Sequence, residues 1–264
     1  MVKKNLLREK LNNGEATVCT RIWSSWPTIM EACASTGSYD YIEFVAEYAP
    51  FDQYTLENLA RTCEYAGVSS MIKVDWQNRF YVAQKAMAAG FQSILFTDHK
   101  TAKDVEESLY AVRPDNIEYG GRYGYPNTRW IGYQPYQNQR DHAAMVNDTV
   151  KVFMIEKYEA VENIEEICSV PGVDMVQFGP SDYSMSRGWN VNEHRDEVRA
   201  AEEKMIRVAL EHGVQARCEI DTLEQAQYYA SLGVRHFCIG DEFRHQMHFW
   251  RNVGGACKEF AKNL

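Results

Sequence analysis

No apolar run in this chain approaches the roughly 20 residues needed to cross a bilayer; stretches such as Ser93–Thr97 stop after a few residues. The first residues, MVKKNLLREKLNNG, also lack the apolar core of a secretory leader, so the sequence reads as cytoplasmic and away from membranes. No CxxC pair occurs. The seven cysteines (Cys19, Cys33, Cys63, Cys168, Cys218, Cys238, Cys257) are odd in number and widely spaced, as expected of reduced, mostly buried thiols rather than a disulfide frame. Proline (7) and glycine (16) are too sparse for a collagenous or low-complexity chain. Basic residues are outnumbered, 28 Lys and Arg against 37 Asp and Glu, and the formal charge of -9 would repel a phosphate backbone. Nucleic acid is therefore excluded as a partner. There is no HExxH motif and no histidine-rich cluster to favour a dedicated zinc site.

What is present is alternation. Short β-branched or apolar runs at 17–22, 41–47, 69–74, 92–97, 150–156, 174–179, 214–220 and 236–241 are separated by segments with helical periodicity, such as 52–66 and 77–89. Gly67, Gly90, Gly213 and Gly233 stand where helix C-caps belong, just before the next strand. Eight such units within 264 residues predict an α/β fold, a single TIM (β/α)8 barrel domain spanning 1–264, preceded by a short helix near 3–12. One connection breaks the rhythm: residues 113–149, rich in Gly, Tyr, Asn and Gln, form a long loop. It reads as a lid over the barrel mouth, or else as a subunit contact.

In such a barrel the reactive groups lie at the strand C-termini. Those ends offer Arg21 and Trp23, Glu47 and Tyr48, Lys73, Asp98 and His99, Glu156, Asp182, Glu219, and Asp241 with Glu242. Converging carboxylates repel one another unless a cation relieves them, and oxygen donors select a hard ion, Mg²⁺ or Mn²⁺. The competing reading is that several of these acids cap the following helices. Gly179-Pro180-Ser181-Asp182-Tyr183-Ser184 directly follows a strand, so its turn exposes backbone amides able to hold a carboxylate while Asp182 reaches a metal. Its pairing with Glu156, 26 residues upstream, makes the turn informative.

Three blocks, YDYIEFVAEYAPFD, MIKVDWQNRFYVAQKAMAAGFQSILF and VFMIEKYEAVENIEEICSVPGVDMVQFGPSDYSMSRG, resemble the HpcH/HpaI aldolase family of class II pyruvate aldolases, and the likeness covers most of the chain. The resemblance implies a divalent metal on Glu156 and Asp182, with Mg²⁺ or Mn²⁺ favoured and Co²⁺ tolerated. It further implies that the Ser181 and Asp182 amides bind the substrate carboxylate and that Glu47 organises water. It places a loop arginine, Arg122, near the mouth, to meet a substrate carboxylate or a neighbouring subunit. It also implies a C-terminal helix, near 243–262, exchanged between subunits of a homo-oligomer, a hexamer built as a trimer of dimers.

The departures from the family pattern matter equally. The family histidine of EHxP is Tyr48 here, its orienting aspartate is Met87, and its arginine at the end of strand three is Lys73. The family positions for glutamine before the metal glutamate and for aspartate on strand two hold Met154 and Val45. The expectation is a metal-dependent carbon-carbon lyase of the aldolase type, working on a hydroxy-keto acid through a pyruvate-like enolate. The alternatives are a non-aldolase lyase or condensing enzyme of the same family on a different small oxo acid, or a non-catalytic keto-acid-binding protein. Lys73, Tyr48 and Glu47 are the catalytic candidates; Ser181, Asp182, Glu219, Arg122 and Trp23 are the substrate-binding ones. Tyr48 reads equally as a packing residue, Cys218 as a structural thiol, and Asp98 or His99 as a relocated base or as an N-cap and a solvated loop residue.

Overall fold

The computed structural model describes residues 4–126, 129, 133 and 138–264. Strands β1 (Thr17–Ile22), β2 (Tyr41–Val45), β3 (Ser69–Val74) and β4 (Ser93–Phe96) pair in parallel, each with the next. The series continues through β5 (Val150–Ile155), β6 (Met175–Phe178), β7 (Gln215–Ile220) and β8 (His236–Asp241), and β8 returns to β1 to close the barrel. Helix α1 (Leu6–Asn12) precedes the barrel. The crossovers hold α2 (Pro27–Ala34), α3 (Gln53–Ala66), α4 (Arg79–Ala89), α5 (Ala102–Val112) and α6 (Gln139–Asn147). They continue with α7 (Tyr158–Glu162), α8 (Ile164–Cys168), α9 (Pro180–Ser186), α10 (Arg195–Glu211) and α11 (Leu223–Ser231). The chain ends in α12 (Glu242–Phe249) and α13 (Gly255–Ala261), joined by a π-helical stretch at Trp250–Gly254.

Local chemistry accounts for the elements. In α3, Leu56, Leu59, Ala60 and Cys63 fall on one buried face. The Asp52 side chain accepts from the Thr55 amide at its start, and Gly67 ends it at φ +73°, a conformation cheap only for glycine. Inside the barrel, Cys19, Tyr41, Met71, Leu95, Val152, Met154, Met175 and Cys238 pack together, and Leu7 of α1 plugs the N-terminal end. Arg8 pins that plug through a two-pronged contact with Asp174, at 2.7 and 2.8 Å. All seven cysteines are free. Cys218 is buried among the apolar residues between barrel and helices, a structural thiol.

The 113–149 segment departs from its sequence reading in two ways. Its last third is a helix, α6, rather than loop. The preceding residues turn away from the mouth: the Arg122 amide donates to the Tyr110 carbonyl, and Pro114 bridges Tyr123, both beside the end of α5 that lies opposite the strand C-termini. Arg129 likewise reaches Glu64 and the carbonyl of Ala89, where α4 ends. The described part of the segment is therefore no lid; positions 127, 128, 130–132 and 134–137 of the lid reading lie outside the described residues. Among the described residues, no helix is long and apolar enough to cross a membrane.

Candidate functional site

The strands shorten relative to the sequence reading, and the shortening builds the site. β2 ends at Val45, after which the Ala49 amide bonds back to the Val45 carbonyl, so Glu47 and Tyr48 ride on a tight turn at the barrel rim. Lys73, from the end of β3, reaches Glu47 Oε2 at 2.6 Å. Burial by itself disfavours the Lys73 charge, but Glu156, Glu47 and Glu43 outweigh it and raise its pKa, so it remains an ammonium. Burial raises the Glu47 pKa while Lys73 opposes it.

Glu156 is 2% exposed, and burial against the pull of Lys73 pushes its pKa up to about 7. Its Oε1 accepts the Asp98 amide at 2.8 Å. Asp98 sits at φ +63°, a left-handed conformation uncommon for a non-glycine residue, and that twist directs its N–H into the site. Space for the Glu156 carboxylate is made by Gly179, where an added Cβ would come 2.7 Å from Glu156 Cβ and 3.0 Å from its Oε2. Next follows α9, whose first intrahelical bond is donated by Tyr183 to Gly179, so the amides of Ser181 and Asp182 precede the helical ladder. Lys157, which the sequence reading did not single out, joins these acids: its Nζ lies 2.5 Å from Asp98 Oδ1 and 3.8 Å from Asp182 Oδ1.

Across the mouth stands a second polar group. Arg21 reaches Glu219 Oε1 at 2.5 Å and Asp241 Oδ2 at 3.7 Å, and the Gln177 side-chain amide donates to Glu219 at 2.7 Å. Beneath it, fully buried Arg217 binds Glu43, Gln177, the Tyr41 hydroxyl and Cys19. Arg217, Gln177 and Glu43 were also missed in the sequence; their only local signal is a charged or amide residue at an inward position of a strand.

The Tyr48 ring, 61% exposed, stacks on Trp23 with centroids 5.8 Å apart and planes at 12°. Lys73 Nζ lies 5.8 Å from that ring's centroid. Partial enclosure of the hydroxyl and the charge of Glu47 push the Tyr48 pKa up to about 12, so it stays a phenol. The Trp23 and Ser24 amides are held by Glu242 Oε1.

Two sequence candidates are not brought here. His99 is fully buried, packs edge-on against Trp76, Phe96 and Phe153, and bonds Ser108 through Nε2 at 2.7 Å. Burial and then Arg79 push its pKa down to about 4, which makes it a neutral core residue rather than a solvated loop residue or a base at the mouth. Arg122, held at the far end of α5, does not approach the mouth of its own chain. Asp98 is not an N-cap either, since Thr101 caps α5 with a reciprocal bond from Asp104.

Acids and lysines gathered at the strand C-termini of a closed barrel define an enzyme whose chemistry sits on that rim. The sequence profile of the HpcH/HpaI aldolase/citrate lyase family matches residues 22–234, and the chain belongs to that family. It is 26% identical over 257 residues to hydroxypyruvate/pyruvate aldolase of Pseudomonas aeruginosa, covering 96% of this chain and 93% of the relative. It is 27% identical over 241 residues to 2-keto-3-deoxy-L-rhamnonate aldolase of Escherichia coli K12, covering 89% and 86%. The crystal structure of citrate synthase SbnG shares the fold with a TM-score of 0.85 at 23% identity, covering 99% of this chain and all of that one. The protein is an enzyme of the carbon-carbon lyase type, from a family generally dependent on a divalent metal.

The donor set fits such an ion. Glu47, Asp98, Glu156 and Asp182 face the two ammonium groups of Lys73 and Lys157, so carboxyl groups outnumber the fixed positive charges at this part of the rim. Among the described residues no three His, Cys, Asp or Glu side chains converge as a ready-made cage. Two carboxylates with open positions for water and substrate suit a hard ion of the Mg²⁺ kind rather than a closed zinc site.

Proposed function

We propose that the protein is a divalent-metal-dependent aldolase that cleaves a 2-keto acid carrying a 4-hydroxyl into a pyruvate-type product and an aldehyde. The observation that carries this reading is the pocket of four carboxylates and two lysines built around the Gly179 turn. Glu156 and Asp182 would hold the ion, Mg²⁺ or Mn²⁺, with Co²⁺ tolerated. When bound, it supplies positive charge that stabilises the enolate developing on the substrate. The amides of Ser181 and Asp182 orient the substrate carboxylate, and Lys73 adds a point charge where the family arginine would supply a fork. Glu47, made more basic by burial, accepts the proton of the substrate 4-hydroxyl as the carbon-carbon bond breaks. Tyr48, still protonated at neutral pH, delivers a proton to the enolate carbon and is recharged from Glu47 beside it.

The aldehyde half lies between the Trp23–Tyr48 stack and the Arg21–Glu219–Gln177 wall. With Asp241 alongside, that wall carries more acid than base, which favours hydroxyl groups over a second carboxylate at this end. Incubating the protein with pyruvate and Mg²⁺ in D₂O tests the reading by NMR: the methyl protons are expected to exchange, and exchange should stop on chelation. Pyruvate bound with its methyl protons retained would identify a keto-acid-binding protein instead.

An uncovered face supports assembly. From α12 to the C-terminus no residue is buried, and Phe243, Phe249, Trp250, Val253 and Phe260 are each about half exposed or more. On the barrel itself Val18, Phe237 and Ile239, outward residues of β1 and β8, are partly exposed. Exchange of the last helix between paired subunits would cover both surfaces, and a hexamer of three such pairs is the proposed state. Light scattering is expected to give a mass well above the monomer's 30.5 kDa, lowered by Trp250→Glu; a monomer at micromolar concentration would refute the exchange. Seven free thiols support a reducing, cytoplasmic setting. The 113–126 stretch and Arg122, turned away from the mouth, fit a subunit contact.

A further inference from the structure

Lys157 stands where the proposed metal chemistry has least use for it. The residue follows Glu156 directly, its side chain is 17% exposed, and its ammonium lies within 3.8 Å of Asp182, the other proposed ligand. A fixed positive charge at that distance from a ligand carboxylate opposes a divalent cation, and the low-dielectric surroundings strengthen the opposition. The geometry also shows what limits it. Asp98 holds the same ammonium at 2.5 Å, a much closer contact than the one to Asp182. Asp98 serves twice, because its backbone N–H, aimed by the left-handed twist at φ +63°, holds Glu156 Oε1. One residue thus restrains the competing cation and orients the other ligand.

We infer that Lys157 is a built-in competitor of the divalent ion, restrained by Asp98, and that this pair sets the metal affinity of the site. The inference rests on the proposed Glu156 and Asp182 site. Three consequences follow. Neutralising Lys157 strengthens metal binding, whereas releasing it by neutralising Asp98 weakens binding, since the ammonium is then free to pair with Asp182. The two effects have opposite signs although both substitutions break the same ion pair; loss of a merely structural contact would move both in one direction. Finally, Asp98→Asn loses most of its effect once Lys157 is gone, because there is no longer a cation to restrain.

Isothermal titration of the full-length protein with Mn²⁺, in the absence of substrate, separates these cases. Lys157→Met is expected to tighten the Mn²⁺ dissociation constant by roughly tenfold or more, and Asp98→Asn to weaken it by a similar factor. In the Lys157→Met background, Asp98→Asn should weaken binding by less than half as much on the logarithmic scale. Thermal melting of each variant confirms that folded protein is compared, and Lys157→Gln serves if the methionine form does not fold. Equal or weaker Mn²⁺ binding in both folded Lys157 variants overturns the inference alone, provided that Asp182→Ala abolishes binding in the parent. Binding unaffected by Asp182→Ala, or no binding in the parent and the Lys157 variants alike, overturns the metal site as well.

Discussion

Glu156→Gln is expected to remove Mn²⁺ binding and pyruvate release together while leaving the barrel folded. The amide keeps nearly the volume of the carboxylate and still offers an oxygen to the Asp98 N–H, so the local hydrogen bond at 2.8 Å survives. Only the charge is lost. Since burial already disfavours the ionised form at this position, the neutral substitute imposes no folding cost of the kind that follows when a paired surface is disrupted. Catalysis has no such tolerance. With two protein carboxylates available, loss of one leaves no substitute, and a fall in rate of about 10³-fold is expected, of the size found when a preorganised stabiliser of transition-state charge is deleted. A coupled lactate dehydrogenase assay measures the rate, and thermal melting checks the fold. Gly179→Ala provides an independent check without touching a donor atom. Its new Cβ would meet Glu156 Cβ at 2.7 Å, so the carboxylate must move, and metal binding should fall in parallel. Full turnover in Glu156→Gln after exhaustive chelation would refute the metal reading.

The eight strands were legible because each is a short apolar run between turn residues, and parallel barrel strands, covered on both faces, carry just that pattern. Their ends were less so. The strand read as 41–47 stops at Val45; Glu47 and Tyr48, expected at the strand end, ride on the turn that follows, where Glu47 meets Lys73 and Tyr48 meets Trp23. Glu156 was legible by its position at a strand end and by resemblance. Lys157 beside it was not, because its meaning depends on Asp98 from the preceding strand end and on Asp182 from the next. His99 was misread for a similar reason. A histidine after a strand reads as solvent-facing until Ser108 and three aromatic neighbours enclose it, and those partners come from separate elements. Met87 is fully buried in the apolar cluster between barrel and helices, where a carboxylate without a partner would be costly.

Arg217→Met is expected to cost about 3–5 kcal/mol of folding stability, the range observed when one partner of a buried ion pair is removed. Arg217 and Glu43 are both completely inaccessible, and the guanidinium also binds Gln177, Tyr41 and Cys19, so its loss strands a carboxylate, an amide oxygen and a phenol inside the barrel. Denaturant melts should show the loss, with most of it recovered in Arg217→Met combined with Glu43→Gln, because the stranded charge goes with its partner. The recovery separates the cost of an unpaired charge from that of lost packing. Function should not recover in step. Gln177 accepts from Arg217 and donates to Glu219, so the buried arginine fixes which way the amide faces and, through it, one wall of the mouth. In the double variant Gln177 is free to turn, Glu219 loses a donor, and KM for the hydroxylated substrate should rise more than kcat falls. A double variant with restored stability and an unchanged KM would confine Arg217 to the fold and leave Arg21 as the residue that positions Glu219.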